Sequence, residues 1–255
     1  MNDRSVPFSL ILTAHRKDYL TEALMSVCAQ TDQDFEFVLC LDLHEDSQLA
    51  GYCTSLFEQI SCRQKKLITV VGNGTAGFCR NEAFRNTTGA WISYLDGDDM
   101  IAPVAVERMK HRIQRDNHFD IFSSGMMRID ANGVCIALPD SLTYYPPREI
   151  YWIDPETIGA ATFFNQFQVM RREVWEQYNY DDSSNGEDID FMLINLLKWK
   201  FRKVPEYLYY YRDVGKSFSK KIYAEGDFTT KRYQNRYYLR YYEEHYSDFF
   251  FCNFV

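Results

Sequence analysis

Three carboxylates stand close together in this 255-residue chain, directly after an apolar run of buried-strand length. They are Asp96, Asp98 and Asp99, with Gly97 between the first two. Like charges this close repel one another and raise each other's pKa unless a cation lies among them. Carboxylate oxygens favour a hard ion such as Mg²⁺ or Mn²⁺, which completes its shell with water and substrate phosphates. The cluster predicts a divalent-metal site; the alternative is a solvated acidic turn that caps the next helix.

A second acidic pair, Glu187-Asp188, follows Gly186 at the predicted start of a helix. Acidic side chains in a first helical turn complement the helix dipole, so ordinary capping explains the pair. A carboxylate on such a rigid element can also be a general base that deprotonates an acceptor hydroxyl, if it lies in the same cleft as the leaving group. Both interpretations remain open on the residues alone.

A glycine-rich segment, Gly72-Asn73-Gly74-Thr75-Ala76-Gly77, has the G-x-G-x-x-G spacing of dinucleotide-binding sites. Asp96 lies about 20 positions beyond it, as the ribose-binding acid would. That fingerprint normally occupies the first βα turn of a chain, whereas this segment follows the third predicted strand. An NAD(P)-binding oxidoreductase is therefore an alternative that the position disfavours.

The scaffold that must position these groups is predicted by the apolar periodicity of the first 120 residues. Four apolar runs of strand length each precede a segment with helical spacing. The predicted strands span 8–14, 35–42, 66–71 and 90–96, and the helices 18–29, 45–60, 77–86 and 103–116. This alternation implies a mostly parallel central sheet flanked by helices. Ligands of such sheets bind outside the carboxyl ends of the strands, where Asp96 stands.

The pattern changes near residue 120. DIFSSGMMRID predicts a strand, and Ala131-Asn132-Gly133 predicts a turn. We interpret this part as a smaller antiparallel or irregular subdomain, after which a helix over 188–199 and a strand over 201–212 return to the core. From Tyr223 onward the chain is strongly aromatic and in part has helical spacing. The predicted divisions are 1–120, 121–222 and 223–255.

Charge and composition exclude several classes. A formal net charge of −8 argues against nucleic-acid binding, because phosphate backbones are held by clustered Lys and Arg. Seven cysteines without a C-x-x-C pair favour reduced thiols. The first residues lack the features of a signal peptide, and no apolar stretch approaches the ~20 residues that span a bilayer. We expect a cytoplasmic protein, with peripheral membrane association as an alternative.

Four motifs occur in a fixed order along the chain. It opens with SLILTAHRKDYLTEALMSVCAQTDQDFEFVLCLD, a strand, a helix ending in Gln-Thr and a strand ending in Asp. Gly77-Phe78-Cys79-Arg80-Asn81 comes next, then the DxD-type Asp96-Gly97-Asp98 and finally Glu187-Asp188. In this order and spacing the motifs resemble those of the inverting family 2 glycosyltransferases of GT-A fold. The resemblance covers about residues 6 to 220.

The resemblance implies a binding site for a nucleotide-diphosphate sugar. The implied donor-binding residues are Thr13, Ala14, His15, Arg16, Asp42, Arg80, Asp96 and Gly97. Among these, Asp42 would read the base or ribose, and Arg80 would face the nucleotide or its phosphates. Asp96 would contact the ribose or a metal-bound water.

The same resemblance implies the catalytic groups. Asp98 would ligate Mn²⁺ or Mg²⁺, Asp188 would be the general base, and Glu187 would orient its neighbour. The expected reaction is sugar transfer to an acceptor hydroxyl with inversion at the anomeric carbon.

The three predicted divisions then acquire roles. Residues 1–120 would form the half that binds the nucleotide sugar, 121–222 the acceptor-side half with the Glu-Asp motif, and 223–255 an aromatic helical tail. The acceptor would be a saccharide, a lipid-linked compound or another hydroxyl compound. Aromatic residues that would either stack on its sugar rings or fill the core are Tyr144, Tyr145, Tyr151, Trp152 and Phe163. The tail's surplus of aromatic side chains predicts a homo-oligomer contact or a further domain.

Two departures from the family pattern are visible. Leu41-Asp42 stands where the family usually has two acidic residues, and Asp213-Val214 replaces the x-His of a Tyr-Arg-x-His-x-x-Ser pattern. Lys216 is the candidate for the missing positive charge, with an exposed loop lysine as its alternative. Other functions left open are a sugar nucleotidyltransferase, which should carry a basic Gly-rich loop near the first strand, and a catalytically inactive nucleotide-sugar-binding scaffold.

Overall fold

The apolar runs predicted as strands lie side by side in one sheet. The computed structural model describes residues 6–72, 75–138, 167–182, 187–188, 191, 195 and 198–214. Its strands are β1 (Phe8–Ala14), β2 (Glu36–Asp42), β3 (Gln64–Val70), β4 (Trp91–Asp96), β5 (Met100–Ile101), β6 (Ile121–Ile129), β7 (Cys135–Ala137), β8 (Gln168–Arg171) and β9 (Phe201–Arg212). The helices whose two ends both lie within the described residues are α1 (Leu20–Cys28), α2 (Leu49–Gln59), α3 (Ala76–Arg85), α4 (Ala105–Arg115) and α5 (Arg172–Gln177).

The sheet has the order β3-β2-β1-β4-β8-β6-β9-β5, with β7 paired to β6 outside this path. β1 is parallel to both β2 and β4, and β2 is parallel to β3. The register places Thr13 opposite Asp96 on one side and opposite Cys40 on the other. The carboxyl ends of the first four strands therefore meet at one edge of the sheet.

The second half of the chain extends the same sheet. β8 is antiparallel to both β4 and β6, while β6 and β9 pair in parallel. β5, only two residues long, pairs antiparallel with β9. The antiparallel character expected beyond residue 120 is thus present in β8, but these strands continue the first sheet and do not form a second one.

The core lies on both faces of the sheet, because β1 is buried along its whole length. Leu10 and Leu12 point to the face covered by α1, α2 and α4. Ile11 points to the opposite face, covered by α3 and α5. Burial of such an aliphatic side chain stabilises the fold by about 1.5–3 kcal/mol. Because β1 is buried on both faces, every position gains from an apolar side chain, and the strand is a continuous apolar run in the sequence.

A side-chain clamp joins the end of α1 to the start of α4. Gln30 accepts a hydrogen bond from the Val106 N–H at 3.1 Å and donates to the Ala102 carbonyl at 2.8 Å. Thr31 donates its N–H to the Pro103 carbonyl at 2.8 Å and its hydroxyl to Glu107 at 2.6 Å. The Gln-Thr of the opening motif therefore anchors the start of α4, and Gln30 accepts from the Val106 N–H, one of the donors that a helix start leaves without an internal partner.

Most predicted elements are confirmed with shifts of a few residues at their ends. The largest shift is at α2, which begins at Leu49 where the sequence predicted a start near 45. The sequence analysis did not predict β5, β7, β8 or α5, because each is too short to show a period.

Several predictions fall outside the described residues. They concern the aromatic residues between 144 and 163, Gly186, Lys216 and the tail 223–255. Within the described ranges, no helix is long and apolar enough to cross a membrane.

Candidate functional site

The predicted donor-site residues meet at the carboxyl edge of the sheet. Thr13 and Ala14 end β1 and are buried, whereas His15 beyond them is exposed. The turn after β4 crosses the end of β1 at Gly97, where a Cβ would lie 2.7 Å from the Ala14 Cβ and 2.9 Å from the Thr13 carbonyl oxygen. Only glycine allows this close approach. Gly97, one of the predicted donor-site residues, is therefore required by the packing of the turn on β1.

Asp99 is a buried structural carboxylate. Its Oδ2 accepts a hydrogen bond from the Tyr209 hydroxyl at 2.7 Å, and its Oδ1 accepts one from the Arg212 N–H at 2.7 Å. Burial, followed by the charges of Asp98 and Asp96, raises the pKa of Asp99 well above its ordinary value. Because both oxygens are occupied by protein donors, Asp99 is unsuited to ligate an ion.

Arg212 fixes the acidic turn from the other side. Its Nε donates to the Asp98 carbonyl at 2.9 Å, and its Nη1 donates to the Asp130 and Ala131 carbonyls at 3.1 Å. The guanidinium also lies 4.3 Å from the centre of the Tyr19 ring. Sequence analysis found Arg212 at the end of a predicted strand and in the Tyr-Arg-x-His-x-x-Ser pattern but gave it no role, because its partners lie 81 to 114 positions away.

Asp98 is the most accessible of the three carboxylates. Its side chain is 31% exposed, against 23% for Asp96, and its Oδ2 accepts a hydrogen bond from Arg16 Nη2 at 3.3 Å. Burial, then the neighbouring charge of Asp96, raises the pKa of Asp98, while the Arg16 guanidinium lowers it. Of the acidic cluster, Asp98 best matches the predicted metal ligand.

The oxygen ligands offered by the protein at this place fit a cation that binds together with a phosphate-bearing substrate. In the described part of the chain, no three His, Cys, Asp or Glu side chains converge as a ready metal cage. Mg²⁺ and Mn²⁺ in phosphate-binding sites commonly take one or two carboxylates and complete their shells with water and phosphate oxygens. Asp98 can supply one such carboxylate. Metal binding at this position remains a prediction.

Asp42 is fixed at the end of β2 and is 1% exposed. Its Oδ1 accepts hydrogen bonds from the His44 and Gly72 N–H groups at 3.0 and 2.9 Å. The Cys79 thiol donates to its Oδ2 at 3.6 Å. Burial, then the neighbouring groups Cys40 and Asp42, raises the pKa of Cys79, so this residue remains a protonated donor. The glycine-rich segment after β3 therefore contacts Asp42 through Gly72.

Arg80 brings together two acidic groups that are far apart in sequence. Its Nη1 donates to Glu187 Oε1 at 2.5 Å, and its Nη2 donates to Asp96 Oδ1 at 2.7 Å. The Arg80 side chain is 5% exposed. These contacts connect the acidic cluster on β4 with the Glu-Asp motif. The predicted contact of Arg80 with a nucleotide or its phosphates stays a prediction, since the guanidinium is here engaged by carboxylates.

Glu187 and Asp188 are both helical, with Glu187 buried and Asp188 half-buried. Burial, helped by the charges of Asp188 and Asp96, outweighs the opposing effect of Arg80 and raises the pKa of Glu187 to about 7. A buried carboxyl with a raised pKa beside a second carboxyl is typical of acid–base sites. The roles of Asp188 as general base and of Glu187 as its orienting neighbour stay predictions.

Asn81, the last residue of the Gly-x-x-Arg-Asn segment, ties α3 to the chain that leads to Glu187. Its Oδ1 accepts hydrogen bonds from Trp175 Nε1 and the Tyr180 N–H at 2.9 and 3.1 Å, and its Nδ2 donates to the Tyr180 carbonyl at 2.8 Å. At the start of α3, a Cβ on Gly77 would lie 2.0 Å from the Asp181 carbonyl oxygen. The motif thus keeps two backbone segments in close contact.

The site contains residues to which the sequence analysis gave no individual role. They are Tyr94, Asn81, Asp99, Tyr180, Tyr209 and Arg212. Asn81 was visible as part of a motif, but the tyrosines gave no signal, because the sequence alone does not show which tyrosines lie against a charged side chain.

Comparisons with known proteins concern the family and the fold of the chain. The family model described as "Glycosyl transferase family 2" matches residues 9–178. An uncharacterized glycosyltransferase of Methanocaldococcus jannaschii is 22% identical over 200 residues, which cover 76% of this chain and 66% of that protein. The poly(ribitol-phosphate) beta-glucosyltransferase of Bacillus spizizenii is 24% identical over 204 residues, which cover 76% of this chain and 30% of that protein.

Among solved structures, residues 1–349 of S. aureus TarS in complex with UDP-GlcNAc superpose with a TM-score of 0.67 at 20% identity. The match covers 84% of this chain and 60% of the solved one, and it shows a shared fold. The chain spans no more than about two thirds of the length of these relatives.

Proposed function

The chain belongs to glycosyl transferase family 2 and has its GT-A-like α/β fold, and we propose that it transfers a sugar from a nucleoside-diphosphate sugar to an acceptor hydroxyl. The observation that carries the proposal is the Asp96–Arg80–Glu187 bridge. It holds the acidic cluster at the end of β4 next to the motif that contains the candidate base. A transferase needs these two groups in one cleft, because the leaving group and the attacking hydroxyl react at the same carbon.

The proposed donor site runs along the carboxyl edge of the sheet. Asp42 would meet the base or ribose at the end of β2, and Asp96 would lie near the ribose. Asp98 and Arg16 would meet the diphosphate. Mn²⁺ or Mg²⁺ held by Asp98 would neutralise the charge that grows on the departing nucleoside diphosphate. The UDP-GlcNAc in the S. aureus relative makes UDP-sugars the first donors to test.

The proposed base is Asp188. It would remove the proton of the acceptor hydroxyl as that oxygen attacks the anomeric carbon from the face opposite the leaving group. A single displacement of this kind inverts the anomeric carbon and forms no covalent sugar–enzyme intermediate. Glu187 would not move protons itself, because its carboxylate is held by Arg80 at 2.5 Å.

The acceptor is proposed from the relatives alone. The name of the B. spizizenii protein gives a poly(ribitol-phosphate) substrate, so polyol and saccharide acceptors are the classes to test. Lipid-linked acceptors belong to the same proposal, since they also present a sugar or polyol hydroxyl.

A binding and turnover experiment tests the proposal. UDP-, GDP- and dTDP-sugars would be screened by thermal shift with and without Mn²⁺, since a ligand that binds only the native state stabilises it. The donor that binds would then be assayed for release of nucleoside diphosphate with polyol and saccharide acceptors. We expect one base to be preferred and product to depend on the acceptor. Absence of binding by every sugar nucleotide would reject the proposal, whereas binding without turnover would favour an inactive nucleotide-sugar-binding protein.

A further inference from the structure

We propose that Arg80 is a positioning residue, held on the rings of Tyr94 and Tyr180, that fixes the Glu187-Asp188 motif relative to Asp96. The catalytic role of Arg80 rests on the proposed function, whereas the contacts that Arg80 makes do not. Arg80 would not contact the substrate in this role. It would act through Glu187, which stands next to the candidate base.

The first argument is the shape of the contact. The two carboxylates bind different terminal nitrogens of one guanidinium, at 2.5 Å for Glu187 and 2.7 Å for Asp96. A guanidinium is planar and rigid, so it holds both partners in one fixed geometry. Lysine presents a single ammonium nitrogen on a flexible chain and cannot reproduce this spacing. The distance between the acidic cluster and the base motif therefore depends on arginine.

The second argument is burial and charge. The side chains of Arg80 and Glu187 are 5% and 8% exposed. One cation faces the carboxylates of Glu187 and Asp96, and Asp188 also raises the pKa of Glu187. Removal of one partner from a buried ion pair leaves an uncompensated charge, which is far more costly than the loss of a surface pair. Without the guanidinium, Glu187 would be repelled by both neighbouring carboxylates.

The third argument is the aromatic support. The centre of the guanidinium lies 4.3 Å from the Tyr94 ring and 5.5 Å from the Tyr180 ring, close enough for cation–π attraction. Both hydroxyls and Arg80 Nε are buried without a hydrogen-bond partner in the part of the chain that the structure describes. The tyrosines therefore act on Arg80 through their ring faces. Phenylalanine should serve in either place.

Tyr180 is itself held rigidly. Its backbone is bonded on both sides by Asn81, and its ring stacks on Phe191 with the centroids 4.2 Å apart. Phe191 is helical and follows Glu187-Asp188 by one turn. The support of Arg80 and the segment that carries the base motif thus share a contact, so loosening the ring should also loosen the motif.

Four variants of the full chain test the proposal. Arg80→Lys keeps the charge but loses the two-pronged contact, and Arg85→Lys is its matched control, since Arg85 pairs on the exposed side of the same helix with Glu82. Tyr180→Leu removes the ring, and Tyr180→Phe keeps it. We expect Arg80→Lys to lower kcat about 100-fold, the scale of a small misplacement of catalytic groups, with donor Kd changed less than about threefold. Tyr180→Leu should behave similarly, and Tyr180→Phe should keep most of the activity.

A second measurement does not depend on any substrate. Glu187 can be titrated by carboxyl ¹³C NMR in the absence of donor. Its surroundings include Arg80, Asp96, Asp188 and Tyr180. We expect the apparent pKa of Glu187 to rise by about one unit in Arg80→Lys, because the opposing cation is less well placed, and to stay unchanged in Arg85→Lys.

The outcomes separate the two proposals. If the wild type binds no sugar nucleotide, the proposed function fails, and the Glu187 titration alone decides the role of Arg80. Equal losses of donor affinity and kcat in Arg80→Lys would make Arg80 a donor-binding residue and overturn the inference. Unchanged kcat and an unchanged Glu187 titration would also overturn it. If Arg80→Lys fails to fold, the comparison of Tyr180→Leu with Tyr180→Phe decides, and equal behaviour of those two rejects the role of the ring.

Discussion

The Tyr209 hydroxyl donates to Asp99 at 2.7 Å and holds a carboxylate that is 2% exposed. The three aspartates of the acidic turn look alike in the sequence but make different contacts. Asp99 fixes the turn, Asp96 binds Arg80, and Asp98 keeps the most exposed side chain. Each assignment makes a separate prediction.

Tyr209→Phe should destabilise the fold. It leaves one oxygen of a buried carboxylate without its donor, which costs about 1–3 kcal/mol. The free energy of unfolding from urea titration measures the effect. Tyr210→Phe is the matched control, because it removes a hydroxyl from the next residue of β9, which makes no bond to Asp99. Equal stabilities of the two variants would show that the Asp99 contact contributes nothing.

Asp98→Ala should abolish the metal-dependent part of donor binding. The proposed ligand is lost, whereas the other contacts to the nucleotide remain. Calorimetric titration of the donor with and without Mn²⁺ measures this part. Glu45→Ala, which removes an exposed carboxylate shortly after β2, should keep the wild-type response to Mn²⁺. A wild-type response in Asp98→Ala would exclude Asp98 as a ligand.

Asp188→Asn should lower kcat by about two to four orders of magnitude, the usual contribution of a general base, and leave donor Kd nearly unchanged. The amide keeps the size of the side chain but cannot accept the proton. Steady-state kinetics with the acceptor, together with donor titration, separates the two effects. Unchanged turnover would return Asp188 to a capping role.

Lys203→Met should change how stability depends on pH. The Lys203 ammonium is buried on β9 and donates to the Ser124 carbonyl at 2.6 Å, and burial lowers its pKa from 10.5 to about 7. Between these values the unfolded chain binds more protons than the folded one, so this lysine makes the wild-type free energy of unfolding rise from pH 7 towards pH 10.5. Below pH 7 both states carry the proton, and the contribution no longer changes.

Urea titrations of both proteins at pH 7, 8 and 9 measure that slope. We expect the stability of Lys203→Met relative to the wild type to fall as the pH rises through this window. Other titrating groups are common to both proteins and cancel in the difference. Parallel curves would show that Lys203 has an ordinary pKa.

The sequence predicted the sheet because buried parallel strands are continuous apolar runs, and their carboxyl ends identify the site. Asp96 and Asp98 were therefore found as candidates, whereas Glu187 and Asp188 were found as an acidic pair at a predicted helix start. The bridge through Arg80 was not, because it joins residues 107 positions apart and depends on burial. Asp99 could not be told from Asp98, since the difference lies in a tyrosine 110 positions away. Periodicity describes single elements, whereas these contacts arise only when distant elements pack.

The clamp of Gln30 and Thr31 on α4 also constrains the order in which the molecule can be completed during synthesis. The last residue of this clamp in chain order is Glu107, so the hydrogen bonds that join the segment after α1 to α4 cannot all form until that residue has left the ribosome. The partners of Asp99, Tyr209 and Arg212, are translated about 100 residues later still. The nascent chain can thus pair its first strands before the acidic turn is fixed, and the hydrogen bonds to Asp99 form only when β9 has joined the sheet.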